Sequence, residues 1–177
     1  MNIPKLVLTG GPCAGKTAAL AMLAEKLRAE GYYPLIAREA ATALLSSGVA
    51  LRDPSGSTLA FQHAVLRHVL LTEEILEDVL ERSGHQKPIL LCDRGVMDAR
   101  AYMSMDDFEL LLQDHGLPHP TVVRDGRYDA VIHLRSAANG APEFFSSKSN
   151  AHRYEKDLSE AIALDERTLA AWVGHEH

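Results

Sequence analysis

The sequence has few of the features that mark secreted or membrane-bound proteins. Its 177 residues include only two cysteines, Cys13 and Cys92, so we do not expect a disulfide framework. We expect the protein to lie in the reducing cytoplasm. No apolar run approaches the length of a membrane span, and the N-terminal stretch MNIPKLVLTG lacks the apolar core of a signal peptide. A net charge of −6 leaves no excess of positive charge, which argues against a general binder of nucleic acid or acidic membranes.

What the sequence does have is enough apolar content for one core. Hydrophobic residues make up 46% of the chain, and neither a repeat nor a linker-like stretch divides it. This length suits one compact domain, so residues 1–177 are expected to form a single unit.

A glycine-rich segment near the N-terminus follows a short apolar run and precedes a helical pattern. The apolar run is LVL at residues 6–8, and leucines at helical spacing follow from residue 20 onward. Strand, glycine-rich loop and helix in this order are the context that the Walker A motif, GxxxxGK[ST], requires. The residues expected to bind a nucleotide are Gly10, Gly11, Pro12, Cys13, Ala14, Gly15, Lys16 and Thr17.

The residue types of this loop suit a phosphate chain and a metal ion. Glycines let the backbone curve so that successive N–H groups face the phosphates, and the following helix directs its positive dipole end toward the anion. Lys16 should reach the terminal phosphates, and the Thr17 hydroxyl should ligate Mg²⁺. The motif therefore predicts magnesium-dependent binding of ATP or GTP, but it does not specify the reaction.

The rest of the chain alternates strand-like and helix-like segments. Such alternation predicts an α/β fold, a three-layer doubly wound parallel sheet of the P-loop kinase type with strand order 2-3-1-4. An Asp-Gly pair in VVRDGRY, residues 122–128, favours a β-hairpin whose first arm could lie beside the last strand. The expected strands are residues 6–8, 34–37, 88–92 and 130–134, and the expected helices include residues 39–47, 58–82 and 150–172.

Two of the expected helices carry apolar stripes. In the last helix, which Asn150 is expected to cap, Asp165 falls on the stripe of Leu158, Ile162, Leu169 and Trp172. An unpaired buried charge is costly, so Asp165 should lie near the helix edge or pair with a cation such as Arg94. The long middle helix should bury Leu66, Leu70, Ile75, Leu76, Val79 and Leu80.

Two carboxylates follow expected strands at the edge of the sheet where ligands bind in this fold class. Asp93 ends the apolar run ILLC in a Walker B pattern and should support Mg²⁺, although a simple strand-end cap is the alternative. Glu39 follows the second strand and could act as a base on an acceptor hydroxyl or share the metal. Its alternative is a carboxylate that the dipole of the next helix stabilises.

This arrangement resembles the deoxynucleoside kinases, which have an acid-Arg-Ser motif after the corresponding strand. Asp93-Arg94-Gly95 looks like a relative of that motif. The resemblance implies that Glu39 is the catalytic base and that Arg94 stabilises the transferring phosphate. It also implies that Phe61 and Gln62 contact the substrate, although Gln62 could instead face water.

A closer resemblance covers nearly the whole chain. The motifs that carry it are GGPxxGKT at 10–17, DRGxxDxxAY at 93–102, YDxVIHL at 128–134 and NxxRxE at 150–155, with Asp165, Trp172 and His175. In these motifs the sequence is similar to the AAA-type P-loop family that includes nicotinamide-riboside-kinase-like proteins and the TRPL translocation defect protein. The resemblance implies a kinase-like protein that binds ATP or GTP, and it implies that relatives continue into a further strand where this sequence stops at WVGHEH.

A polar stretch between the last strand and the last helix is expected to form a lid over residues 136–153. P-loop kinases close a loop at this place and bring arginines to the transferring phosphate. Arg153 is the expected catalytic arginine of the lid, and a surface salt bridge with Glu155 or Asp157 is its alternative.

These patterns favour a small-molecule kinase that transfers the γ-phosphate of ATP or GTP to a hydroxyl of a nucleoside-like acceptor. The residues expected to take part in catalysis are Lys16, Glu39, Asp93, Arg94 and Arg153. The alternative is a nucleotide-dependent regulatory switch that binds a protein partner.

The last strand should be an edge strand, which could also pair with a second copy in a homodimer. No nucleic-acid partner and no transmembrane segment are expected.

Overall fold

The computed structural model of the chain describes residues 3–139 and 157–177. The strands are β1 Lys5–Gly10, β2 Tyr33–Ala37, β3 Pro88–Asp93 and β4 Ala130–Leu134. The α-helices are α1 Lys16–Ala29, α2 Ala40–Ser46, α3 Leu59–Arg82, α4 Met105–Asp114, α5 Pro120–Gly126 and α6 Leu158–Trp172, and short 3₁₀ segments cover Val96–Tyr102 and Ala137–Asn139.

The four strands form one parallel sheet in the order β2-β3-β1-β4, which confirms the expected fold class. In the register, Leu6 of β1 lies between Leu91 of β3 and Ala130 of β4. All six residues of β3 are buried, as expected for a central strand of a parallel sheet covered on both faces. No α-helix within the described ranges is both long and apolar enough to cross a membrane.

Helices cover both faces of the sheet because neighbouring strand residues point to opposite sides. On one face, Leu8 and Leu91 pack with Leu20 and Ala24 of α1. On the other face, a larger cluster of strand residues packs with side chains from α3, α4, α5 and α6. Its members include Val7, Leu90, Leu66, Leu80, Phe108, Leu112, Val123, Ala171 and Trp172. The result is the three-layer arrangement that the sequence predicts.

The prediction of a β-hairpin around Asp125 and Gly126 is wrong. Residues 120–126 form α5, with Pro120 at the first helical position and the His119 side chain accepting a hydrogen bond from the Thr121 N–H. A tight hairpin turn of this sequence type needs positive φ at its two central residues, and neither Asp125 nor Gly126 has one. The helix also buries Val123 in the core, so tertiary packing overrides the local turn signal.

The outer edge of β4 is partly covered by the end of the described chain instead of by a hairpin. The backbone N–H of Val131 donates to the carbonyl oxygen of His177 at 3.0 Å. Ile132 in the middle of the strand is 40% exposed. β4 is therefore an edge strand, as the sequence predicts, with at least one of its outward N–H groups paired.

The start of the last helix and one side of α3 also differ from expectation. Asp157 caps α6, because its side chain accepts a hydrogen bond from the Glu160 N–H, and Asn150, the expected cap, lies outside the described residues. In α3, Ile75 and Val79 were expected inside but are 53% and 44% exposed. The buried position between Leu66 and Leu80 belongs to Glu73, whose carboxylate is satisfied by Arg127 and Tyr128. Arg127 Nη2 donates to it at 2.7 Å and the Tyr128 hydroxyl at 2.8 Å.

Candidate functional site

The glycine-rich loop joins the end of β1 to the start of α1 in a conformation that requires glycine at two places. Gly10 has a φ of 137° and Gly15 a φ of 76°, both in the region that side chains disfavour. A Cβ added at Gly10 would lie 2.0 Å from the carbonyl oxygen of Leu134 at the end of β4. Cys13 also has positive φ, at 56°, so the backbone between the two glycines is sharply curved.

Lys16 folds back over this loop. Its ammonium group donates to the carbonyl oxygens of Gly10 at 3.0 Å and of Gly11 at 2.9 Å. Burial, and then the positive charge of Arg94, lower the pKa of Lys16 to about 8, against an ordinary value of 10.5. The ammonium therefore lies inside the curve of the loop, where a phosphate chain would supply the negative charge that it lacks.

Asp93 at the end of β3 has a buried carboxylate oxygen without a hydrogen-bond partner among the described residues. Asp93 is 8% exposed, and this oxygen is its Oδ1. Burial, and then the negative charge of Glu39, raise the pKa of Asp93. Thr17 lines the same pocket. A buried carboxylate oxygen with no protein donor fits Mg²⁺, which prefers oxygen ligands.

No group of three or more His, Cys, Asp or Glu side chains within residues 3–139 and 157–177 could hold a metal by itself. Mg²⁺ in nucleotide sites binds through one or two protein ligands together with phosphate oxygens and water. Asp93 and Thr17 are the residues that fit this role.

Arg94 links two carboxylates beside the loop. Its Nε donates to Glu39 Oε1 at 2.8 Å and its Nη1 to Asp98 Oδ1 at 3.0 Å. The arginine itself has a φ of 72°, a conformation that non-glycine residues rarely adopt and that is often found at functional sites. The expected partnership between Arg94 and Asp165 is wrong, since Arg94 pairs with Glu39 and Asp98.

Glu39 is held in its ionised form. Burial alone would raise the pKa of Glu39, but the charge of Arg94 and a hydrogen bond from the Thr42 hydroxyl outweigh it and lower the pKa overall. The Thr42 hydroxyl donates to Glu39 Oε2 at 2.5 Å. Glu39 therefore has two fixed donors in addition to its place at the start of α2, and the helix-cap alternative does not account for its pairing with Arg94.

A pocket of about 470 Å³ brings the expected site residues together. Phe61 and Gln62 belong to its wall and are only 4% and 3% exposed, so Gln62 does not face bulk water. The wall is apolar away from the loop, where α2 and α3 face each other. The lining includes Cys13, Lys16, Thr17, Glu39, Ala40, Leu45, Phe61, Gln62, Val65, Leu66, Asp93, Arg94, Asp98, Ala99 and Tyr102.

Asp165 of α6 is a buried contact of the loop whose partners the sequence did not indicate. Its Oδ1 accepts a hydrogen bond from the backbone N–H of Gly11 at 2.8 Å and lies 3.1 Å from His133 Nε2. Its Oδ2 lies 3.6 Å from Arg135 Nη1. The signal in the sequence was a carboxylate on an apolar helical stripe, but only the fold shows that its partner is a main-chain amide of the loop.

The structure brings all but one of the expected catalytic residues to this pocket. Lys16, Glu39, Asp93 and Arg94 all line it. Arg153 and nearly all of the expected lid, from residue 140 to residue 153, lie outside the described residues. At the start of the lid, the Ser136 hydroxyl donates to the carbonyl oxygen of Pro12, so this end rests on the loop.

Residues 5–177 match the family described as the AAA domain. The chain belongs to the AAA domain family. For this AAA domain, the family match and the curved loop of β1 and α1 together support nucleotide binding. The more specific resemblance to nicotinamide-riboside-kinase-like proteins and to the TRPL translocation defect protein stays a prediction.

Proposed function

We propose that this AAA domain is a small-molecule kinase, which transfers the γ-phosphate of ATP or GTP to a hydroxyl of an uncharged, nucleoside-like acceptor. In this proposal residues 1–177 form one domain. The observation that carries the proposal is the shared pocket. The ionised carboxylate of Glu39 and the guanidinium of Arg94 line the same 470 Å³ space as Lys16 and Asp93. This space reaches from the glycine-rich loop to the walls of α2 and α3, so an acceptor hydroxyl in it would lie close to a phosphate held by the loop.

The loop residues would hold the nucleotide. Lys16 exchanges its two backbone carbonyl partners for phosphate oxygens, and the loop N–H groups together with the N-terminus of α1 face the phosphates. Asp93 and Thr17 would hold Mg²⁺, which supplies charge neutralisation on the phosphate oxygens when bound.

Glu39 and Arg94 would act on the transfer itself. The acceptor oxygen forms a bond to the γ-phosphorus as the bond from that phosphorus to the bridging oxygen breaks, and the proton of the hydroxyl passes to Glu39. A carboxylate that is already ionised can accept this proton without first losing one. Arg94, fixed beside Glu39, would stabilise negative charge on the transferring group.

The rest of the pocket suits an uncharged acceptor with an apolar ring. Among the described residues, the charged side chains that line it are the cations Lys16 and Arg94 and three carboxylates, those of Glu39, Asp93 and Asp98. Arg94 pairs with two of these carboxylates and is assigned to the transferring group, so the described lining offers no further cation to a second phosphate. The walls next to this charged end come from Leu45, Phe61, Val65 and Leu66, and Gln62 supplies an amide for a polar ring edge.

The test is phosphate transfer from labelled ATP and GTP to a panel of nucleosides and the corresponding nucleoside monophosphates. A kinase of this kind transfers label to at least one nucleoside and to none of the monophosphates. Glu39→Gln should reduce transfer by roughly a hundredfold or more, the scale of a lost general base, while Glu74→Gln on the exposed side of α3 should not. Label released only as free phosphate, at a rate no nucleoside changes, would instead favour the regulatory alternative.

A further inference from the structure

Asp98 is a buried carboxylate in the lining of the pocket. The proposed chemistry gives it no role. It lies in the 3₁₀ segment Val96–Tyr102 and is 4% exposed. Four donors from three parts of the fold satisfy it. They are the Thr9 hydroxyl at 2.5 Å, Arg94 Nη1 at 3.0 Å, the Gly95 N–H at 2.9 Å and Trp172 Nε1 at 3.2 Å.

The four bonds divide evenly between the two oxygens. Oδ1 accepts from Thr9 and Arg94, and Oδ2 accepts from Gly95 and Trp172. With both oxygens occupied twice, Asp98 has little capacity left to bind an acceptor. Its rigid position in turn fixes the guanidinium of Arg94, whose Nε holds Glu39 at the opposite side.

We propose that Asp98 is a positioning residue that fixes Arg94, and through Arg94 the carboxylate of Glu39, for the transfer reaction. The inference rests on the proposed kinase function. Arg94 needs such an anchor because its long side chain would otherwise sample several rotamers, and a carboxylate–guanidinium pair is directional. The anchor is tied to the end of β1 by Thr9 and to α6 by Trp172, so Asp98 connects the acceptor pocket to the rest of the fold.

The connection from Glu39 through Arg94 to Asp98 can be tested without any acceptor. Trp172, which donates to Asp98, is the only tryptophan of the chain, so its fluorescence emission reports on this place alone. Protonating Glu39 at low pH removes the charge that holds Arg94 Nε, so Arg94 and the Asp98 carboxylate that it shares with Trp172 can shift, which alters the surroundings of the indole. The Trp172 emission of the wild type should therefore show an acid transition that Glu39→Gln lacks. Glu74→Gln, at an exposed site on α3, is the matched control and should keep the transition.

Other groups near the indole are the same in all three proteins. The His175 ring lies 6.3 Å from Trp172 and the Tyr128 ring lies 5.6 Å away. The difference between wild type and Glu39→Gln isolates the part that passes through Glu39 and Arg94. If the three emission curves coincide, the proposed connection does not exist.

The second experiment measures catalysis in Asp98→Asn, with Asp106→Asn on the exposed first turn of α4 as control. Asp98→Asn should lower kcat up to about a hundredfold, the scale of a misplaced catalytic group, without weakening ATP binding. It should also move the acid limb of the kcat/KM profile to higher pH, because a loosened Arg94 no longer holds down the pKa of Glu39.

A merely structural role for Asp98 would reduce stability and activity but leave the acid limb in place, and that result would overturn the proposal. If Asp98→Asn does not fold, or if no acceptor is phosphorylated, the emission experiment decides alone. An acid transition that depends on Glu39 would then support the connection even though the kinase assignment had failed.

Discussion

Gly11 of the phosphate-binding loop and Asp165 of α6 are in direct contact, although 154 positions separate them in the sequence. The Gly11 N–H donates to Asp165 Oδ1 at 2.8 Å, and a Cβ at residue 11 would lie 2.7 Å from the Asp165 Cβ. Glycine at this position is therefore explained by close approach to a buried carboxylate, since its φ lies outside the range that only glycine favours. The contact makes α6 part of the loop's support.

Gly11→Ala should disturb this support. The added methyl group cannot fit without moving Asp165 or the loop, and overpacking of this kind costs about 1–3 kcal/mol. We expect a lower Tm and weaker ATP binding by calorimetry. Gly126→Ala is the matched control, because a Cβ there meets no atom within 4 Å, and equal behaviour of the two variants would contradict the role of the contact.

Lys16→Ala should abolish tight magnesium-dependent binding of ATP and GTP. The ammonium is the only lysine group that lines the described pocket, and it lies within the curve of the loop. Lys26→Ala, at an exposed position of α1, should bind like the wild type in calorimetric titrations. Undiminished binding by Lys16→Ala would remove the loop from the nucleotide site.

Asp93→Asn should raise the Tm of the protein without nucleotide but reduce the stabilisation that Mg²⁺ and ATP provide. Burial and the charge of Glu39 disfavour the ionised form of Asp93, so a neutral amide should raise the Tm measured without nucleotide. The same change removes a metal ligand and should diminish the further rise in Tm that Mg²⁺ and ATP produce together. Asp106→Asn should change neither value, and an unchanged response of Asp93→Asn to Mg²⁺ would exclude the metal role.

The stability of the nucleotide-free protein should rise with pH between about 8 and 10.5, the pKa of Lys16 in the fold and its ordinary value. In this range the unfolded chain binds more protons at residue 16 than the folded chain, so the free energy of unfolding increases with pH. Urea unfolding should show this rise in the wild type relative to Lys16→Met. Parallel stability curves for the two proteins would show that Lys16 is not buried as described.

Gln62→Leu should affect the acceptor and not the nucleotide. Gln62 is 3% exposed and lies in the pocket wall on α3, on the acceptor side of the loop. Replacing its amide by an apolar group of similar size should raise KM for a nucleoside acceptor, by roughly tenfold for a lost hydrogen bond to an uncharged partner. The dissociation constant for ATP, measured without acceptor, should stay the same; a changed ATP affinity with unchanged acceptor KM would place Gln62 elsewhere.

The sequence predicted those parts of the fold in which local signals and packing agree. Residues 130–134 are an apolar run between polar neighbours and form β4 with those bounds. Residues 120–126 carried an Asp-Gly turn signal, but Pro120 and the burial of Val123 favour a helix. The helix at residues 120–126 depends on the burial of Val123 in a core that distant parts of the chain form.

The site shows the same division. A motif with fixed spacing predicted the loop before Lys16, and strand ends pointed to Glu39 and Asp93, which line the same pocket. The partners of Asp165 could not be found in this way, because one of them is a backbone N–H that leaves no trace in the residue types. Glu73 was hidden for a related reason, since its acceptable burial depends on Arg127 and Tyr128 more than fifty positions away.

The two polar contacts of α6 have a consequence for any shortened version of this protein. Asp165 and Trp172 are seven residues apart, on one side of the helix, and they hold the loop and Asp98 respectively. A fragment that ended before α6 would keep the glycine-rich loop, Glu39, Asp93 and Arg94, so it would still display the main motifs that suggest activity. It would nevertheless lose one support of the loop and one of Asp98, and a search by motif alone would count it as intact.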